Sequence, residues 1–267
     1  MTEPPLLQVE NLSVAFGGRQ VLDRISLSVR EGELLSIVGP SGCGKSTLLN
    51  AISELLVAEA KVEGRIDFKG GRLGYMFQRD ALLPWYTALR NVQLGAQMRG
   101  VRGPQRPQIA RKWLERVHLH DVEAQYPAQL SIGMRQRVSL ARVLAYDPAL
   151  ILLDEPFVAV DAFTRLSLHD LVLELRRTTG KTMIVVTHDP DEALLLGTRV
   201  IVLERNPGRV HAEFDLDWSH DRSAEELRRS DEFAAMSKQL WGTLLEVGAA
   251  ASARDTGEAK AVGAAAG

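Results

Sequence analysis

The chain has 267 residues, 45% hydrophobic and 25% charged, the balance of a soluble globular protein with room for one large domain or one and a half ordinary ones. A formal charge of −2 argues against a duplex-wrapping nucleic-acid binder, and the single cysteine, Cys43, excludes an internal disulfide or a zinc framework and fits a reducing compartment. No run approaches the length of a membrane span, and the opening MTEPPLLQVE lacks the basic and apolar regions of a signal peptide, so any membrane partner must be another chain.

Taken in order, residues 6–16 and 25–29 alternate apolar and polar positions around the turn Gly17-Gly18-Arg19-Gln20, which predicts an antiparallel layer. Residues 34–38 form an apolar run of strand length. After it, Gly39-Pro40-Ser41-Gly42-Cys43-Gly44-Lys45-Ser46 leads into Thr47 and a helix expected to run to about Ala60. Strands are expected over 62–68 and 74–77. Residues 78–145 carry helical signals broken by the Pro/Gly/Arg stretch at 100–107, with a basic helix over 109–118 and another from about Ser131 to Ala145.

Residues 149–153, 182–187 and 199–203 read as buried strands, alternating with helices that begin at Asp161 and Pro190. That alternation predicts a parallel sheet covered on both faces. Ser223 and Glu226 form a capping box, and Phe233, Met236, Leu240, Trp241 and Leu244 make an apolar stripe expected to pack on the domain itself. The Ala/Gly-rich stretch 248–267 reads as disordered.

The chemistry begins at residues 39–46, which match G-x-x-x-x-G-K-[ST] between a strand and a helix, the context of a phosphate cradle. Backbone N–H groups and the helix N-terminus face an anion, Lys45 neutralises the β- and γ-phosphates, and the Ser46 hydroxyl ligates Mg²⁺. The chain therefore binds a nucleoside triphosphate. Asp154 and Glu155, at the end of an apolar strand, suit the roles of Mg²⁺ ligand and orienter of the attacking water. His188 follows another strand at the ligand-binding edge, where it can meet the γ-phosphate or the water. Gln78 can reach Mg²⁺ or the water through its amide. Ser131, Ile132 and Gly133 open a helix and make a second anion site. Since one triphosphate does not need two distant helix N-termini, two chains facing head to tail would each complete the other's site.

With these residues in place, the chain resembles the ATP-binding subunit of an ABC transporter. Residues 39–46 match its phosphate loop, Gln78 its Q-loop, residues 130–136 its signature, Asp154-Glu155 its Walker B pair, Asp161 its D-loop and His188 its switch histidine. Phe16 stands where the family has an aromatic that stacks on adenine. The resemblance implies an α/β fold of the P-loop NTPase (ABC ATPase) kind, with a mostly parallel core sheet, an antiparallel β subdomain and a helical insert. It places the ATPase domain at 1–215, the helical subdomain at about 79–146, and a C-terminal helical extension at 216–247.

It also implies ATP and Mg²⁺ as ligands, with Ser46, Gln78 and Asp154 on the metal and Glu155, Gln78 and His188 catalytic. Ser131, Ile132, Gly133 and Asp161 then serve ATP bound to a second copy. Two permease subunits would dock beside Gln78, with a solute-binding protein acting indirectly and the ATPase held at the cytoplasmic face of the inner membrane. The segments at 77–85, 133–137 and 155–165 look like the nitrate/sulfonate/taurine importers. A soluble non-transport ABC ATPase and a degenerate ATP-binding regulator are the alternatives.

Three departures stand out. Ile132 replaces the signature's first glycine, Val158 and Val160 alter the segment before Asp161, and Ser53-Glu54-Leu55 replaces Ala-Gly-Leu after the first helix. A β-branched residue stiffens the backbone where glycine permits close approach to phosphate, so Ile132 is expected to slow closure and hydrolysis.

Overall fold

Two sheets face each other around β3 (Leu34–Val38), which is wholly buried and ends at the phosphate loop. In this computed structural model, residues 4–265 are described except for 159, 217 and 219–221, and side chains are described as far as residue 249. The smaller sheet has the order β2 (Arg19–Val29), β1 (Leu7–Phe16), β4 (Ala60–Phe68), all antiparallel. Leu7 pairs with Val29 on one side and Phe68 on the other. The larger sheet has the order β5 (Leu73–Met76), β6 (Leu150–Asp154), β7 (Thr182–Thr187), β3, β8 (Arg199–Glu204), β9 (Arg209–Asp215). It is parallel from β5 to β8 and antiparallel only at β9.

The strands β3, β6 and β7 are apolar on both faces because both faces are covered. On β6, Ile151 and Leu153 pack with α2 (Ala88–Met98), α4 (Ile132–Ala145) and α5 (Ala162–Thr179). Leu150 and Leu152 turn the other way, toward the antiparallel sheet and α1 (Lys45–Ile52). Each such side chain contributes about 1.5–3 kcal/mol of burial, so the register that places Asp154 at the strand's end is strongly specified. α3 (Gln105–Arg116) completes the helical layer. Its Pro107 is tolerated because it lies in the first turn, where the N–H has no intrahelical partner. On the far side, Phe233 and Leu240 of α8 (Asp231–Ala265) bury against Leu194 and Leu195 of α6 (Pro190–Leu196) and Val200 and Val202 of β8. Trp241 of the apolar stripe stays largely exposed. The Ser223–Glu226 capping box forms and opens α7 (Ala224–Arg228).

The structure departs from the sequence reading in three places. β9 alternates Val210, Ala212 and Phe214 with polar residues and adds an antiparallel edge, paired on one side only, that the sequence reading does not include. α8 continues to Ala265 through the stretch read as disordered, consistent with alanine's high helix propensity, while residues 266 and 267 lie outside the described residues. α1 stops at Ile52 rather than near Ala60, closed by a Schellman turn in which Leu55 N–H donates to Asn50 O (2.8 Å) and Glu54 N–H to Ala51 O (3.2 Å).

That turn requires a left-handed residue, and Glu54 supplies it at φ 58°. A glycine is free of the Cβ penalty there, which is the physical reason for the family's Ala-Gly-Leu. Glu54→Gly should therefore stabilise the chain by about 0.5–1 kcal/mol in urea unfolding, relief of the left-handed strain exceeding the entropy that glycine adds to the unfolded state; no gain would show that the turn is unstrained.

Candidate functional site

The phosphate loop is shaped by the strand before it and the helix after it. Gly44, the residue before α1, sits at φ 96°, and a Cβ there would lie 2.5 Å from Leu22 Cδ2, so only glycine meets both demands. No side chain caps α1 at that position, so the helix presents its N–H groups to the cleft. Lys45 is only 5% exposed and its Nζ donates to Gly39 O (2.8 Å) and Pro40 O (3.3 Å), which fixes the ammonium inside the loop with a proton to spare for a phosphate. Cys43 lies 4.0 Å from Nζ. Burial pushes its thiol's pKa up, so it packs as a small apolar group.

A cleft of about 360 Å³ opens over this loop, lined by Val21, Ser41, Gly42, Gly44, Lys45, Ser46, Thr47, Gln78 and Glu155. Ser46 Oγ donates to Asp154 Oδ1 at 2.9 Å and Tyr75 donates to Oδ2 at 3.0 Å. Burial raises the pKa of Asp154, an effect opposed by these two hydrogen bonds. Burial and the neighbouring carboxylate push the Tyr75 phenol's pKa far up, so it remains a donor. Glu155 stands half-buried at φ 45°, and its Oε2 meets both Gln78 Nε2 (3.3 Å) and His188 Nδ1 (3.4 Å). The carboxylate, amide and imidazole expected to handle water thus converge, although they come from β6, β5 and β7.

The residues assigned to the second phosphate wall lie elsewhere. Ser131, Ile132, Gly133 and Asp161 do not line the cleft around Lys45. Ser131 caps α4 by accepting Met134 N–H (3.2 Å), and Asp161 caps α5 by accepting Thr164 N–H (3.0 Å) and Oγ1–H (2.7 Å). The Thr164 hydroxyl bond is the main reason the Asp161 carboxyl's pKa is held low. Gly133 brings the two helix starts together, since a Cβ there would lie 2.4 Å from Thr164 Cγ2. Ile132, 43% exposed, projects from this second wall. Val158, three residues before Asp161, is also exposed, whereas Val160 is buried in the core near Phe157. Phe16, at the end of β1 opposite Arg19 and Ala60, is half-buried and does not line the cleft; Val21 does.

Sequence reasoning missed the residues that fasten the Gln78 segment to α4. Arg135 Nε meets Asp80 Oδ2 at 2.7 Å and its Nη1 donates to Leu130 O at 2.8 Å. Arg142 donates to Ala81 O (2.9 Å) and Asp80 O (3.2 Å). The contacts to Asp80 and Ala81 join residues 55 to 62 apart, so no local pattern reveals them.

The sequence matches the family described as "ABC transporter" over residues 22–158. It is 40% identical over 249 residues to the taurine import ATP-binding protein TauB of Escherichia coli O157:H7, covering 90% of this chain and 98% of that one. The fold is similar to the dimeric ATP-binding cassette MJ0796 in a post-hydrolysis state bound to ADP and Pi, with TM-score 0.69, 34% identity, and coverage of 80% of this chain and all of that one. It is also similar to cbiO1 of Clostridium perfringens, part of the transporter complex cbiONQ, with TM-score 0.71, 26% identity, and coverage of 86% and 93%.

Because the approach at Gly133 is set by one methyl group, Gly133→Ala should destabilise the chain by about 1–3 kcal/mol in denaturant unfolding, and adding Thr164→Ser should recover most of that loss. Equal stability of Gly133→Ala and the unsubstituted chain would contradict the packing described.

Proposed function

The chain belongs to the ABC transporter family as the ATP-binding, ATP-hydrolysing subunit that energises an importer, and on that premise we propose how its residues divide the work and that the cargo is a small solute of the taurine and sulfonate class. The observation that carries the reading is the convergence on one cleft of Lys45, Ser46, Asp154, Glu155, Gln78 and His188, from four separate elements and their loops. The 40% identity to a taurine import subunit, over 90% of the chain, supports the solute class and favours transport over a soluble, non-transport ATPase.

The donors present fit Mg²⁺. Ser46 Oγ and Asp154 Oδ1 lie 2.9 Å apart as hard oxygen groups. Among the described residues there is no cluster of three or more His, Cys, Asp or Glu side chains able to hold a metal. When bound, Mg²⁺ would neutralise phosphate charge. Lys45 and the N–H groups at the start of α1 bind the phosphate oxygens. Ser46, Asp154 and Gln78 hold the cation side. Glu155 takes a proton from water, and Gln78 and His188 orient that carboxylate and read the γ-phosphate. Phe16 receives the adenine.

Ser131, Ile132, Gly133 and Asp161 act on ATP held by a second copy arranged head to tail, an arrangement supported by the dimeric cassettes of similar fold. Residues 1–215 form the ATPase domain, 79–146 its helical arm, and 216–247 an extension. Among the described residues no helix is long and apolar enough to cross a membrane. On the proposed reading two permease subunits supply the pore, docking beside Gln78, with a solute-binding protein delivering cargo and the ATPase lying at the membrane's cytoplasmic face.

Two substitutions test this division. Glu155→Gln should lower ATPase turnover by roughly 10²–10⁴-fold while ATP binding persists; retained turnover would remove Glu155 from the role of base. Ile132→Gly should raise ATPase turnover in the assembled transporter, and an unchanged rate would show that neighbouring shifts already absorb the isoleucine.

A further inference from the structure

Tyr75 has no part in the roles above, yet its hydroxyl reaches the cation side of the cleft. It stands on β5, with its hydroxyl 3.0 Å from Asp154 Oδ2 and 3.1 Å from Asn50 Oδ1. Its ring stacks on Phe77, the residue before Gln78, with centroids 4.4 Å apart. A phenol has one proton and cannot donate to both oxygens. The ionised carboxylate is the stronger acceptor and takes it. The Asn50 amide then turns its NH₂ toward the phenolic oxygen, since the two ends of an amide exchange by rotation. The result is a line of donors from Asn50 to Tyr75 to Asp154, with Ser46 donating to the other carboxylate oxygen at 2.9 Å. Each oxygen of Asp154 has its own donor, so the plane of the carboxylate is held from both sides.

Resting on the ATP-site reading above, we propose that Tyr75 is a positioning residue for the cation site, holding Asp154 so that Oδ1 and the Ser46 hydroxyl present one oxygen edge to the cation that accompanies ATP. Tyr75 is flanked on its strand by Gly74 and Met76, and a role in packing alone would need no hydroxyl at this position. Removing that hydroxyl leaves the Asp154 Oδ2 without its donor and frees the carboxylate to rotate. The loss falls on the cation, because Lys45 and the backbone groups that bind phosphate are untouched. The stack on Phe77 ties the same residue to the Gln78 segment, so the cation ligand and the Gln78 amide share one support.

Tyr75→Phe keeps the ring and its stack and deletes only the hydroxyl. The test measures binding of Mn²⁺, by its paramagnetic signal, to the full-length chain with a non-hydrolysable ATP analogue, and separately the affinity for that analogue in EDTA. Tyr75→Phe should weaken Mn²⁺ binding about tenfold while affinity for the analogue in EDTA stays within about twofold. Asn50→Ala, which cuts only the outer link, should weaken Mn²⁺ by about two- to threefold. Unchanged Mn²⁺ affinity in Tyr75→Phe would overturn the proposal. So would an equal fall of analogue affinity in EDTA, which would mean that the cleft as a whole had been disturbed. Failure of the unsubstituted chain to bind Mn²⁺ with the analogue would instead overturn the ATP-site reading on which the proposal stands.

Discussion

One hydrogen bond, from the Ser46 hydroxyl to Asp154 at 2.9 Å, joins groups 108 residues apart and depends on the order of the central strands. β3 and β6 are separated only by β7, all three parallel, so their C-terminal ends open on the same edge. A phosphate loop on one and a carboxylate pair on the other then fall within bonding distance. A one-residue slip of β6 would exchange the side chains packed on its two covered faces and carry Asp154 away from Ser46, so core packing and site geometry are the same constraint. His188 follows from the same arrangement, because it leaves β7 between the other two strands and meets Glu155 at 3.4 Å.

Much of this was legible in the sequence for a physical reason. Strands buried on both faces are nearly continuous apolar runs, so 34–38, 149–153 and 182–187 announced themselves, and the chemical residues sit directly at their ends. Glycine-rich loops and helix caps have local signatures, which is why the phosphate loop, Ser131 and Asp161 were found. What could not be read depends on long-range contact or on competition between signals. The arginines that fasten Asp80 and Ala81 to α4 look like ordinary charged residues of a helix. Tyr75 looks like one more apolar strand position. Glu54 closes α1 in a conformation for which glycine is the expected residue.

The structure also divides the family's departures by consequence. Val160 is absorbed by the core, and Glu54 affects a turn at the far end of α1 from the phosphate loop. Ile132 and Val158 remain on the surface. The residues proposed to grip triphosphate within one chain stand together, with Ser46 bonded to Asp154. The half offered outward combines two capped helix starts, pressed together through Gly133 and Thr164, with an exposed isoleucine where close backbone approach would favour glycine. Arg135 and Arg142 link that outward half to the Gln78 segment, so a movement felt at Glu155 has a physical route to α4.

On the proposed reading, ATP is gripped by one chain and enclosed by a second. Sedimentation of the Glu155→Gln chain with and without ATP, alone and with Ser131→Arg added, tests it directly. ATP should drive the Glu155→Gln chain from monomer to dimer, and Ser131→Arg should abolish the dimer while each monomer still binds ATP with unchanged affinity. A dimer that survives Ser131→Arg, or a monomer that loses ATP because of it, would contradict the assignment of Ser131 to the opposite subunit's site.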